Sequence, residues 1–266
     1  MGAELLSVTL PLRYCGTAEA LAERTPPRWW GRAVQAAFLS RIRDLDAELA
    51  VALHEPGLTR PYSVSSLIGY RSIESLTNGS ALAIRLTAFD SKVKDVLERS
   101  LESAAGFGVG AHLSLDYLTF EVLAGGAENS PEICSYADLI AESMAQAGHP
   151  LIELRFFSPT LFKSEGRTQP LPLAGLVFRS LLERWNKFAP LTFPDDTLTY
   201  AEECLAVSSF TIRSFPAELG DNALRIGTVG KVRYRALNPD RYWVSILHAL
   251  ARFSRFSGIG AGTAYG

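Results

Sequence analysis

The sequence predicts an α+β protein made of two similar halves in tandem. Three observations predict it. Over the first 125 residues, strand-like and helix-like stretches follow in the order strand, helix, strand, strand, helix, strand. The same order restarts near residue 150. The chain has 266 residues, 47% of them hydrophobic and 20% charged, enough apolar material for two cores.

The elements can be taken in turn. Residues 4–14 alternate apolar and polar side chains, as a strand does. Thr25-Pro26-Pro27 is a breaker, and one long helix is expected from about Trp30 to Leu53. Its stripe is Val34, Phe38, Ile42, Leu45 and Leu49, at steps of three and four. Pro56-Gly57 stops it. Tyr62–Tyr70 and Ala81–Phe89 read as strands around an Asn78-Gly79 turn. Asp90 or Ser91 caps a helix from Lys92 to Ala104 whose apolar face is Val93, Val96, Leu97 and Leu101. His112–Leu123 completes the set as a strand. This is the ferredoxin-like order.

Residues 126–149 read as a connector holding a helix at Tyr136–Ala147. Leu151–Phe157 is then a strand, Pro172–Phe188 a helix, Leu191–Glu203 irregular, Cys204–Phe215 a strand, Ala223–Ala236 one or two strands, and Asp240–Phe253 a helix. The expected fold is therefore two ferredoxin-like (RRM-like) domains, 1–125 and 150–266, the second lacking its last strand in this chain. No internal repeat is visible, so the reading rests on element order.

Charge is unevenly distributed. From Cys204 onward there are eight Lys/Arg against three Asp/Glu, a net of +5; the remainder has 18 against 25, a net of −7. A basic third beside an acidic remainder offers a field that a polyanion feels. Within that third, Gly230-Lys231-Val232-Arg233-Tyr234-Arg235 places Lys231, Arg233 and Arg235 on one strand face and Val232 and Tyr234 on the other. Such a stripe suits a nucleic-acid backbone; a solvated outer face is the plainer explanation. The cysteines, Cys15, Cys134 and Cys204, are odd in number and scattered, which reads as reduced and cytoplasmic. The N-terminus lacks the basic start and apolar core of a signal peptide, and no run reaches the length of a membrane span. H-E-x-x-H, C-x-x-C, P-loop and G-x-S-x-G patterns are absent, so no metal or cofactor is expected.

The chain ends in Gly258-Ile-Gly-Ala-Gly-Thr-Ala-Tyr-Gly266, four of its nine residues glycine: Gly258, Gly260, Gly262 and Gly266. Glycines let a backbone approach another molecule closely, and free N–H groups in such a loop make a concavity for phosphate oxygens. Arg252 and Arg255 stand just before it. The run FSGIGAGTAYG resembles the C-terminal glycine-rich loop of the CRISPR-associated endoribonucleases of the RAMP superfamily, in which G-x-G, five residues and a further G-x-G follow one another. Residues 154–188, LRFFSPTLFKSEGRTQPLPLAGLVFRSLLERWNKF, resemble the opening of that family's second domain: a strand, a Ser-Pro-Thr turn, a proline-rich stretch and a helix carrying R-W-N. Trp185 in that helix reads as core. The family places a strand after the loop, so the resemblance implies a tail or a fused domain beyond Gly266.

The resemblance implies a protein that binds CRISPR repeat RNA (precursor crRNA) and cuts it by attack of an RNA 2′-hydroxyl on the adjacent phosphate. The ends would be a 5′-hydroxyl and a 2′,3′-cyclic phosphate. It also admits CRISPR effector or adaptation proteins as partners. Such chemistry needs an acid/base and a group that stabilises charge on phosphorus. Histidine titrates near working pH. His54, at a helix end before a Ser-rich strand, is similar in setting to the family's N-terminal catalytic histidine; a helix-dipole histidine is the alternative. Arg60 and Tyr62 stand nearby, although no lysine lies between His54 and Lys92 to fill the family's lysine role. His112 and His149 read as structural or solvated, and His248 as a satisfied, partly buried residue. The expected site is thus His54, Arg60 and Tyr62 for cleavage. Lys231, Arg233, Arg235, Arg252, Arg255 and the four loop glycines are expected to bind RNA. The rival readings are a non-catalytic RNA-binding subunit of the same fold and an unrelated α+β protein.

Overall fold

The computed structural model describes residues 2–17, 21, 27, 29–55, 57–70, 72, 76, 80, 82–164, 166–219 and 223–265. Thr25 and Pro26 of the expected breaker, Pro56, the Asn78-Gly79 turn and Gly266 lie outside the described residues. The chain divides into an N-terminal unit, Glu4–Ile133 with the chain end from Ala264, and a C-terminal unit, Cys134–Thr263 with Met1–Ala3.

In the N-terminal unit β1 (Leu5–Tyr14) is the central strand. Leu6, Val8, Leu10 and Leu12 all point into the core. The expected long helix is two helices, α1 (Gly31–Leu45) and α2 (Ala47–His54). The break is at Asp46, which is extended (φ −155°, ψ 93°) and whose side chain accepts from Leu49 N. A mid-helix aspartate thus acts as a new N-cap, worth about 1 kcal/mol, and turns the helix. Val34, Phe38 and Ile42 are buried as expected, while Leu45 is exposed.

The strand expected over 62–70 is shorter. β2 (Tyr62–Val64) ends where Ser65 Oγ accepts from Arg85 N at 2.8 Å, a hydroxyl taking the place of a ladder carbonyl. β3 (Leu82–Ala88) follows. Asp90 caps α3 (Ser91–Leu101) by accepting from Lys92 N and Val93 N. The single strand expected at 112–123 is a hairpin of β4 (His112–Leu115) and β5 (Leu118–Val122). Asp116 and Tyr117 turn it with φ of 48° and 65°, a left-handed pair without glycine, so the usual turn signal is missing. The sheet order β2-β3-β1-β5 with every neighbour antiparallel is the ferredoxin-like arrangement, extended by β4 at one edge and by β6 (Glu132–Cys134).

The C-terminal unit begins with α4 (Tyr136–Ala145), closed by a capping box between Ser135 and Asp138. Next come β7 (Leu151–Thr160), a small hairpin of β8 (Phe162–Ser164) and β9 (Arg167–Gln169), and α5 (Ala174–Phe188). The stretch expected to be irregular holds α6 (Asp196–Cys204). β10 (Leu205–Leu219) and β11 (Ala223–Ala236) pair as one long antiparallel ladder. Asp240 caps α7 (Arg241–Ser257), whose Leu247, Leu250, Phe253 and Phe256 are fully buried.

The sheet β10-β11-β7 is the ferredoxin-like order without its fourth strand. Among the described residues no strand follows α7; the chain passes through the glycine loop into a short 3-10 turn, Thr263–Tyr265. Mixed α/β composition with two such sheets bears out the expected fold class. Among the described residues, no helix is long and apolar enough to cross a membrane.

Candidate functional site

In the N-terminal unit, α2 ends at His54 with its side chain exposed. The ring Nδ1 donates to the Ala50 carbonyl at 2.9 Å. In the neutral ring this leaves Nε2 as the acceptor nitrogen. Arg60 lies beside the same helix end and donates from Nε to the Leu53 carbonyl at 3.1 Å. Helix end, imidazole and guanidinium are thereby held as one group.

Tyr62 is different. It is fully buried, its ring 4.7 Å from that of Phe38, and its hydroxyl accepts from Gln35 Nε2 at 3.0 Å. Burial raises its pKa, against the opposing pull of Gln35 and Arg60. A phenol held in the core is ill suited to exchange protons with a ligand, so the structure assigns Tyr62 a supporting place rather than the catalytic one expected.

The chain end also belongs to this unit. Ala264 is buried in its core, and the Tyr265 carbonyl accepts from Trp29 Nε1 at 3.3 Å. The same carbonyl sits over the first turn of α1, where a Cβ added to Gly31 would lie 1.8 Å from it. Gly31 is a glycine because that carbonyl occupies its side-chain space.

In the C-terminal unit, β11 presents Lys231, Arg233 and Arg235 on its outer face, while Val232 and Tyr234 are buried on the inner. The stripe is not composed of cations alone. β7 pairs with β11 so that Arg155 stands opposite Lys231 and Glu153 opposite Arg233. Glu153 accepts from Lys231 at 2.7 Å and from Arg233 at 2.9 Å, and lies 3.6 Å from Arg155. Those two hydrogen bonds hold the Glu153 carboxyl down to about 2. Glu153 and Arg155, on the outer face of the Leu151–Phe157 strand, are legible by alternation but had no place in the stripe as read from β11 alone.

Arg252, expected at the RNA, forms an ion pair with Glu142 of α4 instead. That ion pair joins two helices, and Glu142 competes with any phosphate for the guanidinium. Arg255 is exposed on α7.

The glycine loop is built on α5. Gly258, Gly260 and Gly262 all have left-handed φ, 66°, 81° and 81°. Arg184 donates through Nη1 to the carbonyls of Ser180 (3.2 Å) and Gly258 (3.5 Å), and through Nη2 to that of Gly260. Burial lowers the Arg184 pKa to about 10, partly offset by Glu183, and it stays charged at neutral pH. Gly260 N donates to Ser180 Oγ, Ala261 N to the Leu161 carbonyl, and Gly258 N to the Ser254 carbonyl. Three N–H groups expected to be free for phosphate are thus committed to the protein. A Cβ at Gly260 would meet Leu161 O at 2.5 Å and the Thr160 methyl at 2.8 Å. The Ser-Pro-Thr segment expected as a turn is instead the end of β7; Leu161 directly after it and the R-W-N helix together hold this loop. Trp185 is core as expected, stacked at 4.6 Å on Phe193. His248 Nε2 donates to the His149 carbonyl at 2.8 Å, also as expected.

Comparison with known proteins agrees with this architecture. The family model described as "CRISPR-associated endoribonuclease Cas6" matches residues 154–266. A solved Cas6 product complex is 25% identical, with a TM-score of 0.72 over 98% of this chain and 96% of that one. Thermus thermophilus Cas6 is 22% identical, with a TM-score of 0.70 over 100% and 97%. A Cas6-related protein from Pyrococcus furiosus is 13% identical, with a TM-score of 0.59 over 100% and 96%. No curated protein sequence matches the chain. The family's sequence pattern thus matches residues 154–266, and the fold of solved Cas6 proteins matches the chain over its whole length.

Proposed function

We propose that this protein is an endoribonuclease that cuts CRISPR repeat RNA in precursor crRNA without a metal ion, leaving a 5′-hydroxyl and a 2′,3′-cyclic phosphate. The observation that carries the reading is His54: an exposed imidazole whose Nδ1 is fixed to the Ala50 carbonyl, so that Nε2 is available as a base. The family match and the likeness to solved Cas6 proteins, which include a product complex and a substrate-mimic complex, support repeat RNA as substrate.

In this reading Nε2 removes the proton of the 2′-hydroxyl as its oxygen bonds to phosphorus. The bond from phosphorus to the 5′ oxygen breaks, and that oxygen is protonated by the imidazolium or by water. Arg60 neutralises charge on the phosphoryl oxygens and donates no proton, because a guanidinium does not deprotonate at ordinary pH. Tyr62 stiffens the floor under Arg60. The domain 1–125 carries the cleavage chemistry, 126–149 connects, and 150–266 holds RNA through Lys231, Arg233, Arg235, Arg255 and the glycine loop.

The test is cleavage of a labelled repeat RNA in EDTA by the wild type and by His54→Ala, with a 2′-deoxy substitution at the mapped cut as control. Cutting by the wild type, abolished by both changes while binding persists, supports the reading. Binding without cutting by the wild type overturns it in favour of a non-catalytic RNA-binding subunit.

A further inference from the structure

The outer face of β7 carries one side chain that no salt bridge explains. Burial alternates along the strand: Ile152, Leu154 and Phe156 are buried, and Glu153, Arg155 and Phe157 face outward. Phe157 is 84% exposed. It sits where the pairing with β11 becomes irregular, between the Phe156–Gly230 and Thr160–Thr228 partners. An apolar ring on water beside a row of cations contributes little to folding, and its position resembles a platform more than a core residue that missed its place.

We propose that this sheet face binds a single-stranded segment of RNA, one base stacking on Phe157 while Arg155, Lys231, Arg233 and Arg235 hold its phosphates, with Glu153 as a resident competitor for the same cations. The proposal rests on the endoribonuclease reading for its RNA and adds a second contact for it, on a different unit from the one that carries His54.

The argument for RNA is charge: among the described residues paired between β7 and β11, four cations (Arg155, Lys231, Arg233 and Arg235) stand against one acid, Glu153, on this face. The argument for a single strand is the ring. A base in a duplex is covered on both faces by its neighbours, whereas an unpaired base can be splayed onto an aromatic. Stacking of that kind tolerates any base, because each has a π-face. Geometry agrees as well. Alternate residues on a strand are about 6.6 Å apart, so Lys231, Arg233 and Arg235 span about 13 Å, a few nucleotides of backbone. Glu153 sets the strength. It takes up Lys231 and Arg233 in the unbound protein. Its strongly lowered pKa keeps it ionised at every working pH. A phosphate must therefore displace a carboxylate, which holds this face to weak, reversible binding.

The experiment measures affinity by fluorescence anisotropy, with the full chain, for three probes: a repeat hairpin trimmed of flanks, the same hairpin with its single-stranded flanks, and an unstructured pyrimidine oligonucleotide. Wild type, Phe157→Ala, Phe157→Trp and Glu153→Gln are compared across a salt series. Phe157→Ala is expected to weaken the flanked hairpin and the oligonucleotide by roughly five- to a hundredfold, and to leave the trimmed hairpin unchanged. Phe157→Trp retains binding. Glu153→Gln tightens the single-stranded probes and steepens their salt dependence by about one unit of log slope. If the RNAs bind but Phe157→Ala is silent, or weakens all three probes alike, the platform is overturned and the nuclease reading stands. If the wild type binds none of the three probes, the RNA reading itself fails and takes this one with it.

Discussion

Arg184 of α5 donates to the carbonyl of Gly260, so the cation of the R-W-N helix is spent on shaping the glycine loop rather than on meeting a ligand directly. A left-handed Gly260 turns its carbonyl toward the helix and its N–H toward Ser180 Oγ on the same helix. One loop residue is thus held from both of its peptide groups by side chains four residues apart, which is one helical turn.

Arg184→Ala should therefore loosen the loop. Hydrogen bonds from a charged donor contribute about 1.5–3 kcal/mol, and their carbonyl acceptors would be left under-satisfied. The expected result is a lowered melting temperature and a weaker RNA affinity. Arg184→Lys should recover only part of both, because an ammonium cannot reproduce the planar fork that reaches Gly258 and Gly260 together. Gly260→Ala should be at least as damaging, combining a left-handed backbone with a contact at 2.5 Å to Leu161 O. Thermal melts paired with anisotropy titrations check all three.

His54→Ala should lower the single-turnover cleavage rate by about 10²- to 10⁴-fold, the usual contribution of a general acid or base, while repeat affinity changes by less than about twofold. Tyr62→Phe provides the contrast. Its hydroxyl is buried against Gln35, so its loss should cost about 0.5–1.5 kcal/mol of stability and less than about tenfold in rate. A rate loss for Tyr62→Phe that matched His54→Ala would place the phenol in the chemistry.

These contrasts show what the sequence carried. Periodicity located the helices around Val34 and Val93 because each buries an apolar stripe, and the alternation at Lys231–Arg235 located β11. Breaks and turns were less legible. Asp46 ends one helix and caps the next, and Asp116-Tyr117 turns a hairpin without glycine; both are local side-chain or backbone choices that leave no periodic trace. The site was legible in residue type and not in pairing. Glu153 with Lys231, Arg252 with Glu142, and Arg184 with Gly260 join positions 76 to 110 residues apart, and only the fold brings them together.

The buried His248 makes stability depend on pH. Burial lowers its pKa, and nearby Arg252 and His149 act in the same direction, against the hydrogen bond to the His149 carbonyl. The folded state thus resists protonation that the unfolded chain accepts near 6.5. The neutral ring's contribution is complete above that value and is lost as pH falls from about 6.5 through the lowered folded pKa. Urea midpoints should fall with acid across that window in the wild type, and the slope should flatten in His248→Gln. An unchanged slope in the variant would move the pH dependence to another group.

Gly31→Ala offers a test by sign. Alanine in place of glycine inside a helix ordinarily stabilises by up to about 1 kcal/mol. Gly31 opens α1, and the added Cβ would sit 1.8 Å from the Tyr265 carbonyl, with Trp29 Nε1 at 2.9 Å. Backbone cannot yield by that much without moving the chain end, so Ala264 would be drawn from the core and the Trp29–Tyr265 hydrogen bond lost. The substitution should lower the melting temperature and speed amide exchange at residues 263–265 without altering exchange in β1. A neutral or stabilising Gly31→Ala, with exchange at the chain end unchanged, would mean that Tyr265 does not rest on α1 in solution.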